Sequence, residues 1–385
     1  MKITDVSIFT VTLPRRREHK WTGIGEEGVG YRYAIIKLMT DEGIIGYGEA
    51  PAKPRLAGGR GGHGETAKTT EHIIRDYLLP TIEGEDPFNI ELIHDKMNKR
   101  VGGYFYAKAA IDIALYDIMG KAKDLPVYQL LGGAYRKIVP ICHSLGLMEV
   151  EKAVDEAIIA VKEGAKHIKI KVGIDPTRDI DIVQEVRKAV GPRISIAVDA
   201  NQGYSSPKAA IRIIKEMEPS NIVYMEQPVK GLYQMRRVTH AVDTPIMADE
   251  SVWTPEDALE IAMLEAADLI SIYVAKSGGL FPARQVAHVA QAAGISCNVN
   301  SSVEFGVGNA ASLHLIASAK NIDLPALVPV TNIKGREQVE VVNKFYLDDI
   351  IREPFDYDDG YLRIPEGPGL GIEIDEEKLH KYCVS

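Results

Sequence analysis

The sequence predicts an α/β protein whose larger part is a parallel barrel, with a smaller α+β module in front of it. Three observations carry this. From Val139 onward, short β-branched runs alternate with helical periodicity. Helix starts are marked by a capping residue before proline at Asp175-Pro176, Ser206-Pro207 and Thr254-Pro255, and helix ends by Gly164, Gly191 and Gly294. Polar side chains recur at the C-terminal ends of successive strands, where Lys171, Asp199, Glu226, Asp249 and Lys276 are separated by 28, 27, 23 and 27 residues. Each interval is one strand-helix unit, and barrels of this kind keep their chemistry at those strand ends.

In chain order, residues 2–13 and 31–49 alternate in strand fashion, the latter turning at Asp41-Glu42-Gly43, which predicts a small antiparallel sheet. Between these strands lies the basic run Arg15-Arg16-Arg17-Glu18-His19-Lys20-Trp21, then a glycine-rich stretch to Gly30. Gly23-Ile24-Gly25-Glu26-Glu27-Gly28 has the spacing of a dinucleotide fingerprint, but a strand follows it where a helix is required, so those glycines are read as loop residues. Residues 51–64 hold Lys53, Arg55, Arg60 and His63 with no acidic residue, and such loops are functional lids or disordered. Helical periodicity covers 65–77, 87–99 and 106–123. Eight barrel strands are then expected, at 139–145, 167–173, 194–201, 222–228, 245–251, 269–277, 295–302 and 326–330.

Composition narrows the function. The 385 residues are 45% hydrophobic and 26% charged, with a net charge of −9, which excludes a basic nucleic-acid-binding protein. No apolar run approaches the ~18 residues of a membrane span, and the first residues lack the apolar core of a signal peptide, so a cytoplasmic location is expected. Cys142, Cys297 and Cys383 have neither disulfide nor zinc-ligand spacing.

The chemistry starts from Ile168-Lys169-Ile170-Lys171, a buried-looking strand that carries two lysines on one face. Alone, such a pair also suits a solvated edge strand. Asp199, Glu226 and Asp249 would converge from the third, fourth and fifth strands as hard oxygen donors suited to Mg²⁺. The second and sixth strands of an eight-membered ring are opposite, so Lys171 and Lys276 would flank a substrate carboxylate from two sides. Lys169 beside Lys171 should lower the pKa of Lys171 and make it a usable base. Deprotonation next to a carboxylate gives an enolate, which needs a cation nearby.

These stretches, with Asp199-Ala200-Asn201, Met225-Glu226-Gln227-Pro228, Ala248-Asp249-Glu250-Ser251 and Ala275-Lys276-Ser277-Gly278-Gly279, resemble the enolase superfamily, specifically its muconate lactonizing subgroup. A lysine base with Mg²⁺ is a known pairing in that superfamily. The resemblance implies a modified TIM barrel, (β/α)₇β, over 131–330. An α+β capping domain would span 1–130, with the tail 331–385 returning to it. It implies Asp199, Glu226 and Asp249 as ligands of Mg²⁺, with Mn²⁺ as an alternative, Lys171 and Lys276 as acid/base residues, and Lys169 as their assistant. Asn201, Glu250, Asn298, Ser301 and Glu304 are candidates for supporting the ligands or touching substrate. Arg17, His19 and Lys20 are further candidates of the same kind, in a run that resembles the Arg-Arg-Pro-His-Lys of muconate cycloisomerases, with Glu18 in place of proline. The mandelate racemase subgroup's histidine-aspartate base is lacking, because Lys276 occupies the sixth strand. The expected activity is Mg²⁺-dependent abstraction of the proton α to a carboxylate, by a cycloisomerase or a racemase/epimerase. A hydroxy-acid or sugar-acid dehydratase is the alternative, and a non-catalytic metal-dependent binding protein is the alternative of another class. The expected partners are a small-molecule carboxylate and further copies of the chain in a homo-oligomer, with no nucleic acid and no membrane.

Overall fold

A computed structural model describes residues 1–17, 19, 20, 32–54, 56 and 58–384. Glu18, Trp21, Arg55 and the glycine pattern at 23–28 lie outside the described residues.

Seven parallel strands form one sheet in sequence order: Cys142–Leu145, His167–Lys171, Ser195–Asp199, Ile222–Glu226, Ile246–Ala248, Leu269–Ile272 and Ser296–Val299. Helices fill the connections, and their starts match the expected caps. Asp175 accepts from the N–H groups of Thr177 and Arg178 at 2.8 and 3.2 Å, Ser206 from Ala209 at 3.3 Å, and Thr254 from Asp257 at 3.3 Å. Gly164, Gly191 and Gly294 end helices at positive φ, open to glycine without steric cost.

The eighth expected strand needs correction. Residues 326–330 are not a regular strand, yet they occupy its place. The Cys142 N–H donates to Ala326 O at 2.8 Å, and the Leu327 N–H donates to Val299 O at 3.0 Å, so the segment bridges the first and seventh strands. Pro325 precedes it and Pro329 lies within it, and neither supplies an N–H to a ladder, which stops the pairing after a few bonds. The first expected strand also divides. Ile138–Pro140 pairs antiparallel with Tyr361–Arg363 in a separate sheet, and only Cys142–Leu145 joins the barrel. The sixth ends at Ile272, and Lys276 sits on a helical turn, Val274–Ser277, beyond it.

In front of the barrel, Ile3–Val11, Tyr33–Thr40 and Ile45–Ala50 form the expected antiparallel sheet. The long helix Phe105–Lys123 lies directly on its third strand. A Cβ at Gly46 or Gly48 would fall 2.1 Å from Ala114 O or 1.8 Å from Ala110 O, so both positions must be glycine for that approach. The other expected helices are present as Ala67–Ile73, which runs on through a π-helical turn, and Ile90–Arg100. The C-terminal tail returns to the first strand, where the Val384 N–H donates to Thr10 O at 2.7 Å.

Candidate active site

At the C-terminal ends of the third and fourth barrel strands, and just beyond the fifth, Asp199, Glu226 and Asp249 are buried, and one carboxylate oxygen from each lies within 4.8 Å of the others. Parallel pairing in register sets this depth, because Lys171 is opposite Asp199, and Asp199 opposite Glu226. Like charges packed without water are costly. Burial first, then Asp199, pushes the Glu226 carboxyl well above its ordinary range.

The lysines divide around this trio. Lys169 Nζ lies 3.1 Å from Glu226 Oε2 and 3.0 Å from Asn300 Oδ1. Lys171 Nζ donates to Asp199 Oδ2 at 2.5 Å and to Asn201 Oδ1 at 2.9 Å. Lys276, on the far side, donates to Asp249 Oδ1 and, at 2.7 Å, to the Asp249 carbonyl, with its ammonium 4.4 Å from the Tyr273 ring centre. The expectation that Lys169 acts on Lys171 as a bare neighbouring cation overlooked what lies between them. Asp199 Oδ2 is 3.6 Å from one ammonium and 2.5 Å from the other. Burial pulls the Lys169 ammonium toward neutrality, but Glu226, Asp199 and Asp249 outweigh it and hold Lys169 above its usual range. Lys171 and Lys169 together hold Asp199 below its own, against burial.

Around this centre, Asn201 donates to Glu250 Oε1 at 3.1 Å, and burial followed by Asp249 and Asp199 pushes Glu250 up to about 8. Asn298 is buried on the seventh strand, its side-chain oxygen without a hydrogen-bond donor. Ser301 donates to Glu304, which also accepts from the Ser302 N–H at 3.0 Å. The basic run separates. Arg17 pairs with Glu156 on the first barrel helix, His19 is buried with Nε2 3.3 Å from Ser144 Oγ, and Lys20 is exposed, its carbonyl accepting from the Leu147 N–H at 2.8 Å.

Three neighbours of the site were not anticipated. Gln227 is buried at positive φ, and its Oε1 accepts from the Asp249 N–H at 2.9 Å and the Ser251 N–H at 3.2 Å. It fixes the backbone that aims Asp249, and its place directly after Glu226 was the signal. The Tyr273 hydroxyl donates to Asp249 Oδ2 at 3.0 Å from one residue beyond the sixth strand. Lys53 reaches in from the loop 51–64, is buried, and interacts with Glu304 and Lys171. Gly58 of that loop packs on the barrel, where a Cβ would lie 1.8 Å from Glu250 O.

Residues 7–132 match the family described as mandelate racemase / muconate lactonizing enzyme, N-terminal domain, and residues 152–378 match the enolase C-terminal domain-like family. The chain is 36% identical to the N-succinyl-L-Arg/Lys racemase of Bacillus cereus over 389 residues, covering 100% of this chain and 98% of that protein. The crystal structure of that racemase superposes with a TM-score of 0.91, covering 100% and 99% of the two chains. Muconate cycloisomerase 1 of Rhodococcus opacus is 32% identical, covering 99% of each. The dipeptide epimerase of Enterococcus faecalis, solved with Mg and the dipeptide L-Leu-L-Tyr, superposes at a TM-score of 0.86 with 34% identity, covering 97% of this chain and 100% of that one.

Proposed function

Because the chain belongs to the mandelate racemase/muconate lactonizing enzyme family of the enolase superfamily, we propose that it is a racemase or epimerase acting at the α-carbon of an N-acylated amino acid. One observation carries the choice of reaction. Lys171 and Lys276 hold the two outer members of the carboxylate trio, Asp199 and Asp249, from opposite sides. A substrate carboxylate placed at the trio then has one lysine toward each face of its α-carbon. Relatives whose names specify an N-succinyl amino acid or a dipeptide support the substrate class.

The donor set suits a divalent cation: three buried carboxylates, all oxygen, with oxygens converging within 4.8 Å. Asp199, Glu226 and Asp249 would hold Mg²⁺, which when bound supplies positive charge beside the substrate carboxylate and eases proton loss from the neighbouring carbon. The protein's own groups do the rest. Lys171 or Lys276 removes the α-proton from its own face, and the other lysine returns a proton to the opposite face, inverting the centre. Asn201 steers Lys171, while the carbonyls of Asp249 and Ser271, at 2.7 and 3.3 Å, steer Lys276. Lys169 stays cationic and offsets charge among the carboxylates.

The test uses N-succinyl and N-acetyl amino acids of both configurations in D₂O, read by mass spectrometry. Lys171→Ala and Lys276→Ala should each lower interconversion by about 10²–10⁴-fold. Each variant should retain deuterium exchange with only one enantiomer, and the two should retain opposite ones. Exchange that depends on one lysine alone, for both enantiomers, would assign a cycloisomerase or dehydratase instead. Interconversion surviving in both variants ends the two-lysine mechanism.

A further inference from the structure

Arg15, Arg16, Arg17, His19 and Lys20 lie at the rim of the barrel, by the end of its first strand, Cys142–Leu145. Arg15 forms a backbone bridge with Tyr346, and the Arg16 N–H donates to Phe345 O at 2.9 Å. Gly146 makes room for His19 and Lys20, since a Cβ there would lie 3.1 Å from Lys20 O and 3.2 Å from His19 Nδ1. The two arginine side chains do not both stay over the mouth. Arg16 and Arg17 each reach Oε1 of Glu156, on the helix Val150–Lys162, Arg16 at 3.3 Å and Arg17 through a shorter contact.

The same oxygen is 3.2 Å from Nε2 of His143, a buried residue of the first strand. His143 Nδ1 accepts the Asn343 N–H at 3.1 Å, which leaves the proton of a neutral ring on Nε2, close to Glu156 but not aligned for a hydrogen bond to it. Burial pushes the Glu156 carboxyl up, but His143, Arg17 and Arg16 outweigh it and hold it below its ordinary range. Glu156 is therefore an anion that three basic groups share.

With both guanidinium groups taken there, His19 is, among the described residues of the run, the one whose side chain reaches the first strand at the barrel rim. It is buried, stands edge-on to the Phe345 ring at 5.0 Å, and has Nε2 3.3 Å from Ser144 Oγ. Burial, then Arg17 and Lys171, lowers its imidazole pKa well below the usual value, so the ring is neutral there. Ser144 is the next residue after His143 and pairs in register with Lys169. Successive strand residues face opposite ways, so one strand carries the anchor on one face and the His19 contact on the other.

We propose that Glu156 is a positioning residue for substrate recognition. By drawing Arg16 and Arg17 onto the first barrel helix it holds His19 against Ser144 at the rim of the site, where the imidazole meets a hydrogen-bonding substituent of the substrate, such as an amide. The proposal rests on the reading of the barrel mouth as the place of proton transfer.

The experiment compares Glu156→Gln, which keeps the shape and removes the charge, with Arg17→Met, Glu156→Asp and the Glu156→Gln/Arg17→Met pair. Amide hydrogen exchange of peptides spanning 12–20 should accelerate about tenfold or more in Glu156→Gln, with peptides spanning Asp199 unchanged. KM for N-succinyl-L-lysine should rise about fivefold to tenfold in the same variant, with kcat within about twofold of the parent. Glu156→Asp should recover most of that loss, and Arg17→Met should add little to Glu156→Gln, because both act through one contact. Unchanged exchange at 12–20 overturns the proposal, as does a kcat that falls in step with the melting temperature while KM holds. If the parent enzyme itself leaves N-succinyl-L-lysine without α-deuterium in D₂O, the substrate class is wrong, and the exchange comparison at 12–20 alone decides the role of Glu156.

Discussion

Lys53 shows how one side chain ties the site to stability. Burial, relieved in part by Glu304 and reinforced by Lys171, lowers its ammonium to about 7, against an ordinary value of about 10.4 for a free lysine. A base whose folded-state pKa is depressed binds fewer protons folded than unfolded between those two values, so its contribution to stability rises with pH across that window. Lys53→Met should remove that rise. The melting-temperature difference between Lys53→Met and the parent should favour the variant more at pH 6 than at pH 10, and a difference that does not vary with pH would rule out the buried ammonium as its source. Glu226 poses the complementary case, a carboxyl held up by burial and Asp199. Glu226→Gln relieves that repulsion, so it should lose most α-proton exchange yet melt no lower than the parent in the absence of divalent cations, by differential scanning fluorimetry.

At the scale of elements, carboxylates from the sheet module cap barrel helices. Glu49, at the end of the third strand, accepts from the Phe305 and Gly308 N–H groups at 2.7 and 2.8 Å, where the helix Gly306–Ser318 begins. Asp112, midway along Phe105–Lys123, accepts from Leu280 and Phe281 at the start of Leu280–Ala292 and pairs with His94 at 2.7 Å. The Gly278-Gly279 pair after Lys276 permits this approach. Gly279 has φ +127, and a Cβ on it would lie 2.2 Å from Asp112 Cγ. Gly279→Ala therefore combines backbone strain with a clash three residues from Lys276. It should cost about 2–4 kcal/mol of stability and reduce α-proton exchange at temperatures where the variant is still folded. Denaturant midpoints and exchange rates measured together check this, and a silent substitution would show that Asp112 can move away.

For the whole molecule, the site is assembled from segments far apart in sequence, and a bound cation should stabilise that assembly. A ligand at a hundred times its Kd adds about 2.7 kcal/mol to a folded protein. Exhaustive chelation should thus lower the melting temperature and abolish α-proton exchange, and Mg²⁺ should restore both, with Mn²⁺ as a substitute. Full exchange activity in the chelated enzyme would remove the metal from the account. Among the described residues no helix is long and apolar enough to cross a membrane.

The strand and helix order, the caps at Asp175, Ser206 and Thr254, and the even spacing of Lys171, Asp199, Glu226, Asp249 and Lys276 were legible in the sequence, because periodicity and turn chemistry are local. That spacing also foretold a carboxylate trio flanked by lysines, since one polar residue per strand-helix unit at equal depth has few other uses. Only the tertiary structure decided the partners. Asp199 stands between the two lysines of the second strand, Arg17 turns to Glu156 while His19 reaches Ser144 on the first strand, and Lys53 arrives from a loop more than a hundred residues before its neighbours Lys171 and Glu304. Proline removed the eighth strand's ladder without removing its place in the ring. The physical reason is the same throughout: burial and charge compensation depend on which side chains share one small volume of low dielectric, and sequence separation does not report that.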